Sequence, residues 1–277
     1  PVVWWFHQIP NRPAAVVWTW IDGRLVVAPA ARLSAPGSAT DAVWDPDSQS
    51  LTPLPGAPSP QDTLFVAGCD PLLPWLWNQR WQPDRPHLRL FELGSVPALH
   101  ALTQGWVQVA GSHLWDPERR RFNPLPEPET QWARIRYLEW ETGLVGQPAT
   151  DTEVLWVVRE PGSAARALLE RHWQRQAPHA ASRVEVTSHL AVAQIVARNP
   201  KAQGVSLGLW ADWYGIPFTR WAVEPFEWIT RRRWVEGEDE RVAQFCHWLS
   251  SPWVRQALGR YPAVHPNAPG SVIGPAG

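Results

Sequence analysis

Between Thr63 and Ala110 apolar strand-like runs and helix starts alternate at short intervals. Thr63-Leu-Phe-Val-Ala67 has the continuous apolar character of a strand buried on both faces, and it ends at Gly68-Cys69-Asp70. Pro71 to Trp81 reads as a helix with proline in its first turn, where a missing N–H costs nothing. His87 to Leu93 is a second strand, and Gly94-Ser95 opens a helix over Val96 to Gln104 that Gly105 stops. Trp106-Val-Gln-Val-Ala110 is a third strand, ending at Gly111-Ser112-His113. Such a β-α-β-α-β series forms a parallel sheet flanked by helices, so the class is α/β. Ligands of these sheets bind beyond the carboxyl ends of the strands.

The rest of the chain is mixed in the same way. Strands are predicted at Ala133–Leu138, Val154–Val158, Val184–Val186 and Gly204–Gly208, and extended runs at Thr219–Val223 and Phe226–Thr230. Helices are predicted from Ala164 to about Gln176, from His189 to Arg198 after Ser188, over Trp210–Tyr214, and near Asp239–Leu249 and Pro252–Leu258. Residues 1 to about 60 differ. Val16–Ile21 and Arg24–Ala28 flank Asp22-Gly23, a strong hairpin signal, and Ala42–Thr52 forms a second candidate hairpin. Leu54 to Pro60 has the composition of a linker. The spacing Trp44-Asp45-Pro46 to Pro53 is echoed by Trp115-Asp116-Pro117 to Pro124, which shared turn chemistry explains without duplication.

Composition narrows the function classes. Lysine plus arginine total 25 against 26 acidic residues, which argues against non-specific nucleic-acid binding. Arg119–Arg121 and Arg231–Arg233 read as solvated turns or strand ends. The 21 tryptophans are scattered, as core or half-buried residues are, whereas a base-stacking platform would cluster them beside basic residues. Cys69 and Cys246, the only two cysteines, are expected as free thiols. No signal-peptide pattern and no membrane-length apolar run is visible, so the expectation is a cytoplasmic protein without a membrane partner.

An ordered series of short motifs then resembles a known family. Val66-Ala-Gly-Cys-Asp-Pro71, Gly94-Ser95, the helix ending at Gly105, Val109-Ala-Gly-Ser-His-Leu114, Asp116-Pro117 and Asn123 occur in its order. Pro161-Gly-Ser163 with Arg166-Ala-Leu-Leu169, Ser188-His-Leu-Ala-Val-Ala193 and Ser250-Ser-Pro-Trp-Val-Arg255 follow. The family is the periplasmic-binding-protein-like domain, found stand-alone, beside helix-turn-helix domains, or fused to molybdopterin molybdotransferase modules. The resemblance covers roughly residues 62 to 273. It implies a two-lobed type 2 periplasmic-binding fold carrying a β-rich N-terminal appendage. Residues 1–60 would be the appendage and linker, and 61–277 the binding domain. One lobe is expected from about 62–125 and 225–277, the other from about 126–224. Members usually carry a longer segment between the equivalents of Gln147 and Val154 than this chain does.

The resemblance also implies a small anionic ligand, with molybdate or a related oxyanion favoured, and a homodimer by analogy with regulators. An anion needs N–H donors and positive potential, which helix N-termini supply. The candidate ligand-binding set is Asp70, Gly94, Ser95, His113, Arg159, Gly162, Ser163, Arg166, Ser188 and His189. Ser95, Ser163 and Ser188 fit plain N-capping or capping combined with ligand contact. Arg159 and Arg166 fit either an oxyanion grip or ion pairs with Glu160 or Glu170. His113 and His189 fit ligand contact or structural hydrogen bonding, and Asp70 fits a helix cap.

No Gly-x-Ser-x-Gly, P-loop, His-Glu-x-x-His or Cys-x-x-Cys spacing is present, so no enzyme, cofactor or metal site is expected. A Cys69–His113–Asp nucleophilic set is conceivable, because both strand ends face one cleft. The alternative function is a scaffold that keeps the binding fold without a small ligand and docks partners through its Trp-rich N-terminal hairpins.

Overall fold

The computed structural model describes residues 1–6, 9–34, 39–79, 85–148, 154–174 and 182–274. Most of the shortened 148–153 segment and the predicted ends of the helices at 80–81 and 175–176 lie outside the described residues.

The N-terminal region is a five-stranded sheet of β1 (Val2–Trp4), β2 (Ala14–Ile21), β3 (Arg24–Pro29), β4 (Ala42–Asp45) and β5 (Ser50–Pro53), in the order β1-β3-β2-β4-β5. Asp22 and Gly23 both adopt positive φ, 47° and 75°, and close the β2–β3 hairpin with Ile21 opposite Arg24. That geometry matches the twist of the flanking strands and favours an Asp-Gly pair.

The α/β part follows with β6 (Thr63–Gly68), α1 (Leu73–Gln79), β7 (His87–Glu92), α2 (Ser95–Thr103) and β8 (Val109–Ser112). β6 pairs in parallel with both β7 and β8 and is buried throughout. Part of its cover is the N-terminal sheet: Trp5 packs 4.2 Å from Phe91 and 6.3 Å from Phe65, between ring centroids. The β8 strand starts later than the sequence suggests. Gly105, at φ 69°, ends α2 with its own N–H on the Leu102 carbonyl and the Trp106 N–H on the Ala101 carbonyl. This closing turn takes up Trp106 before the strand can begin.

A short hairpin, β9 (Trp115–Asp116) with β10 (Arg121–Phe122), accounts for the sequence echo. Asp45 and Asp116 each accept from backbone N–H groups in their turns, and Gln49 and Arg120 each take φ 50°. The echo is one turn chemistry used twice.

The other half contains β11 (Trp132–Val145), β12 (Leu155–Arg159), α3 (Ala164–Trp173), β13 (Ser182–Val186), α4 (His189–Arg198), β14 (Ala202–Leu207), α5 (Gly208–Tyr214) and β15 (Phe218–Arg231). The two extended runs predicted around Pro225 are one strand, because Pro225 falls outside the stretch paired to β8, which starts at Glu227. β11 and β15 pair antiparallel along their whole 14-residue lengths. β8 adds to β15 at Glu227–Thr230, and β14 adds to β11 at Thr142–Val145. The two long strands therefore connect one parallel group, β7-β6-β8, to another, β14-β12-β13. In the second group Leu168 and Leu169 of α3 pack with Trp156 and Val158, while Val192 and Val196 of α4 pack with Val157.

The chain closes with α6 (Glu240–Leu249), α7 (Pro252–Leu258), β16 (Val264–Pro266) and β17 (Val272–Ile273), the last two pairing with β11. Phe245 of α6 lies 5.8 Å from Trp228 and 5.9 Å from Trp77, which fixes α6 to the first group. No helix among the described residues is long and apolar enough to cross a membrane.

Among the N-terminal tryptophans Trp5, Trp18 and Trp44 are buried and Trp4 is half-buried, while Trp20 is exposed on β2.

Candidate functional site

Six strand ends converge between the two parallel groups. β6 delivers Cys69 and Asp70, β7 Glu92 and Gly94, β8 His113, β12 Arg159 and Glu160, β13 Ser188 and His189, and β14 the start of α5. A cavity of about 180 Å³ lies here, lined by Cys69, Asp70, Trp75, Glu92, His189 and Trp210 among others. That exceeds the roughly 10–15 Å³ one water needs. A larger open depression of about 860 Å³ lies between the N-terminal sheet and α6, bordered by Asp22, Asp62, Arg241 and Gln244, away from the strand ends. The smaller cavity is the candidate site, because only there do the carboxyl ends of parallel strands meet.

Helix capping explains several of the sequence candidates. Asp70 accepts from the Leu72 and Leu73 N–H groups at 2.9 Å each, and its burial pushes the carboxyl up to about 7. Ser163 accepts from Arg166 N–H and donates to the Glu160 carbonyl, and Ser188 accepts from Ala191 N–H. Both serine hydroxyls act as N-caps. Ser95 differs: it is buried and accepts from the His113 N–H at 3.3 Å.

Gly94-Ser95 and Gly162-Ser163 face each other, and they touch. The Val96 N–H donates to the Gly162 carbonyl at 3.1 Å, across the two groups of strands. Pro97 has no N–H, so α2 has little left of its N-terminal donors to offer an anion at this point. A Cβ on Gly94 would stand 2.9 Å from Glu160 Oε1 and 3.1 Å from the Ser163 Cα. Gly94 has φ −64°, so alanine there carries no backbone penalty. Gly94→Ala is expected to leave folding intact and to prevent this close approach. Circular dichroism should be unchanged, while affinity for any ligand that needs the closed form falls at least several-fold in calorimetry.

Charge at the junction centres on Arg159, which is only 2% exposed. It grips Glu160 with two donors, Nε at 2.7 Å and Nη2 at 2.9 Å. Its Nη1 is buried without a hydrogen-bond partner. Arg166 points elsewhere, pairing with Glu170 at 2.6 Å and donating to the Arg159 carbonyl. Desolvation by the cleft walls pushes the carboxyl of Glu92, at the end of β7, up to about 7, with Arg159 opposing the rise and Glu160 adding to it, although part of the side chain is exposed to solvent.

Two buried histidines complete the site. His113 Nδ1 lies 2.8 Å from Glu224 Oε2, which also accepts from Thr142 Oγ1, and its Nε2 lies 3.5 Å from the Cys69 sulfur. Burial disfavours the charged ring, but Cys69 and Glu224 together outweigh it and raise His113 to about 9. His189 is also buried, and neither of its ring nitrogens has a partner. Burial, then Arg159 and His113, hold it well below the usual histidine range. Ligand atoms of Cys69, His113 and His189 lie within 4.8 Å of one another. No metal site was expected from the sequence, since no local spacing marks one; the three residues meet only through the strand order. Glu92, Glu224 and Thr142 were also missed, and only the strand-end position of Glu92 could have signalled it; Glu160 and Glu170, named from the sequence as ion-pair partners, do pair with Arg159 and Arg166. The acid behind His113 is Glu224 rather than the aspartate conceived for a nucleophilic set.

A sequence profile described as "PBP superfamily domain" matches residues 79–250, more than half of the chain. No curated protein matches it. Among solved structures, it is similar to a putative phosphate ABC transporter substrate-binding protein with bound phosphate from Clostridium perfringens. The TM-score is 0.56 at 11% identity, covering 74% of this chain and 99% of that one. It is similar too to a tungstate binding protein from Desulfovibrio alaskensis (TM-score 0.53, 14% identity, 74% and 99% covered). A tungstate ABC transporter structure from Geobacter sulfurreducens matches at TM-score 0.52 and 9% identity, with 72% and 98% covered. These likenesses show the two-lobed α/β fold that the sequence resemblance implied. The chain belongs to the periplasmic-binding-protein superfamily.

Proposed function

We propose that the protein binds a small oxyanion between its two lobes and acts as a non-catalytic binding or sensing protein. The observation that carries this is Arg159: a guanidinium buried at the lobe junction whose Nη1 has no acceptor. A buried charged donor without a partner is unfavourable, and an oxyanion supplies the missing acceptors with opposite charge. Support comes from the structures the chain resembles, described as phosphate- and tungstate-binding. Molybdate or tungstate is the favoured ligand, and the contact residues are Arg159, Ser95 and His189 rather than the backbone of Gly94 and Gly162, whose segments are already held together by the Val96 N–H on the Gly162 carbonyl.

The test is a thermal-shift screen of the full chain with molybdate, tungstate, sulfate and phosphate. A ligand specific for the folded state should stabilise it by about 2.7 kcal/mol at a hundredfold excess over its dissociation constant. No shift with any of them would overturn the reading and favour a scaffold.

Glu92 gives the binding a pH dependence. Its carboxyl, raised to about 7, is largely neutral at pH 6 and ionised at pH 8, beside Arg159 and Glu160. The added negative charge opposes an anion, so affinity should fall from pH 6 to pH 8. Solvent reaches Glu92 through the cavity, so the expected fall is a few-fold. Glu92→Gln should remove that slope; calorimetry at both pH values checks it.

A further inference from the structure

We infer that Cys69, His113 and His189 form a binding site for a zinc-like transition-metal ion that links the two lobes. Cys69 and His113 follow β6 and β8 in one lobe, and His189 starts α4 in the other. This does not rest on the oxyanion reading, because the three side chains converge without an anion.

Geometry comes first. The candidate atoms lie within 4.8 Å of one another, and the sulfur and His113 Nε2 are 3.5 Å apart. Tetrahedral zinc, with bonds of about 2.0–2.3 Å, holds its ligands roughly 3.3–3.6 Å apart. The cysteine–histidine pair is at that separation, and His189 needs a shift of about 1 Å, within reach of a small ring rotation.

His189 is the second observation. It is buried, and both ring nitrogens lack partners. A nucleophilic relay of Cys69, His113 and Glu224 would leave that ring unexplained, whereas a metal uses it. The third is the support behind His113. Glu224, itself held by Thr142 at 3.0 Å, takes Nδ1 and so presents Nε2 to the cluster. A carboxylate behind a ligating imidazole fixes its tautomer and raises its basicity. Formal charges also balance: a thiolate and the Glu224 carboxylate offset a divalent cation. One cysteine and two histidines suit zinc or another late first-row ion better than magnesium or calcium, which prefer oxygen ligands. Cys69 and His189 also line the cavity, which gives an outside ligand a route to the fourth position.

The experiment titrates cobalt(II), as a spectroscopic stand-in for zinc, into reduced, chelator-stripped full-length chain in chloride buffer free of oxyanions. The expected result is one equivalent bound with tetrahedral and thiolate-to-cobalt bands, displaced by zinc. Cys69→Ser should lose the thiolate band. His189→Asn should weaken binding by at least a hundredfold. Glu224→Gln should weaken it about 10–100-fold while keeping the band, as a positioning residue does. Circular dichroism confirms that each variant is folded. Bound cobalt should also protect Cys69 from iodoacetamide. Three results would overturn the proposal: folded wild type that binds no cobalt, identical spectra for wild type and Cys69→Ser, or Cys69 alkylated equally fast with and without cobalt, which would favour the nucleophilic relay. An oxyanion result of either sign leaves these readouts unchanged.

Discussion

Arg159→Ala should weaken binding of molybdate or tungstate by roughly 10- to 150-fold. Hydrogen bonds to charged groups contribute about 1.5–3 kcal/mol, and each 1.4 kcal/mol is a factor of ten. The size follows from burial: at 2% exposure, water cannot replace the lost donor. Arg166→Ala is the contrast. That side chain is occupied by Glu170, which is half-exposed, so the pair contributes about 0.2–1 kcal/mol to stability and nothing direct to the ligand. Calorimetry on both variants separates a grip at the lobe junction from general positive charge on α3. Equal losses in the two variants would point to the latter.

The second large effect concerns the N-terminal sheet. Arg89→Ala should cost about 3–5 kcal/mol, because removing one member of a buried ion pair strands the other. Asp41 is fully buried, bonded to Arg89 Nη2 at 2.6 Å and to the Trp18 N–H at 3.1 Å. Arg89 lies on β7 of the first lobe and Asp41 beside β4 of the N-terminal sheet, so the pair ties the two together. Nearby, Gln108 links Thr19 to the Phe65 N–H, and Arg241 donates to the Trp20 and Thr63 carbonyls. In a chain of this size, 1 kcal/mol shifts the midpoint by roughly 2–4 °C, so thermal unfolding should drop by about 6–20 °C. One cooperative transition is expected, since Trp5, Val17 and Ile21 share a core with Phe65 and Phe91. Separate melting of the first 60 residues would contradict that.

Local chemistry made much of this fold legible. Asp22-Gly23 could hardly be anything but a hairpin turn, and the apolar run at Thr63–Ala67 required cover on both faces. Ser163 marked a helix start through a rule that acts over a few residues, whereas α1 begins at Leu73, two residues after the predicted Pro71, behind Asp70, which accepts from the Leu72 and Leu73 N–H groups. The site was harder to read because its contacts are set by strand order. Cys69 and His113 meet because β6 and β8 are neighbours, and His189 joins them from a different parallel group. Glu224 reaches His113 from a strand that Pro225 seemed to interrupt. Gly94-Ser95 and Gly162-Ser163 were legible as candidate site residues, but the hydrogen bond from the Val96 N–H to the Gly162 carbonyl was not, since it depends on how far the lobes close. Trp5 joins the core around Phe65, whereas Trp18 and Trp44 are covered in a separate cluster and donate to the Pro58 and Pro10 carbonyls, a division set by which face of the sheet meets β6.

The most direct measurement is the anomalous signal of tungsten in crystals grown with tungstate. The expected result is one strong peak per chain between the lobes, within hydrogen-bond reach of Arg159 Nη1 and beside His189. A peak confined to exposed arginines, or no peak in crystals whose lobes are closed as described, would contradict oxyanion binding at this junction.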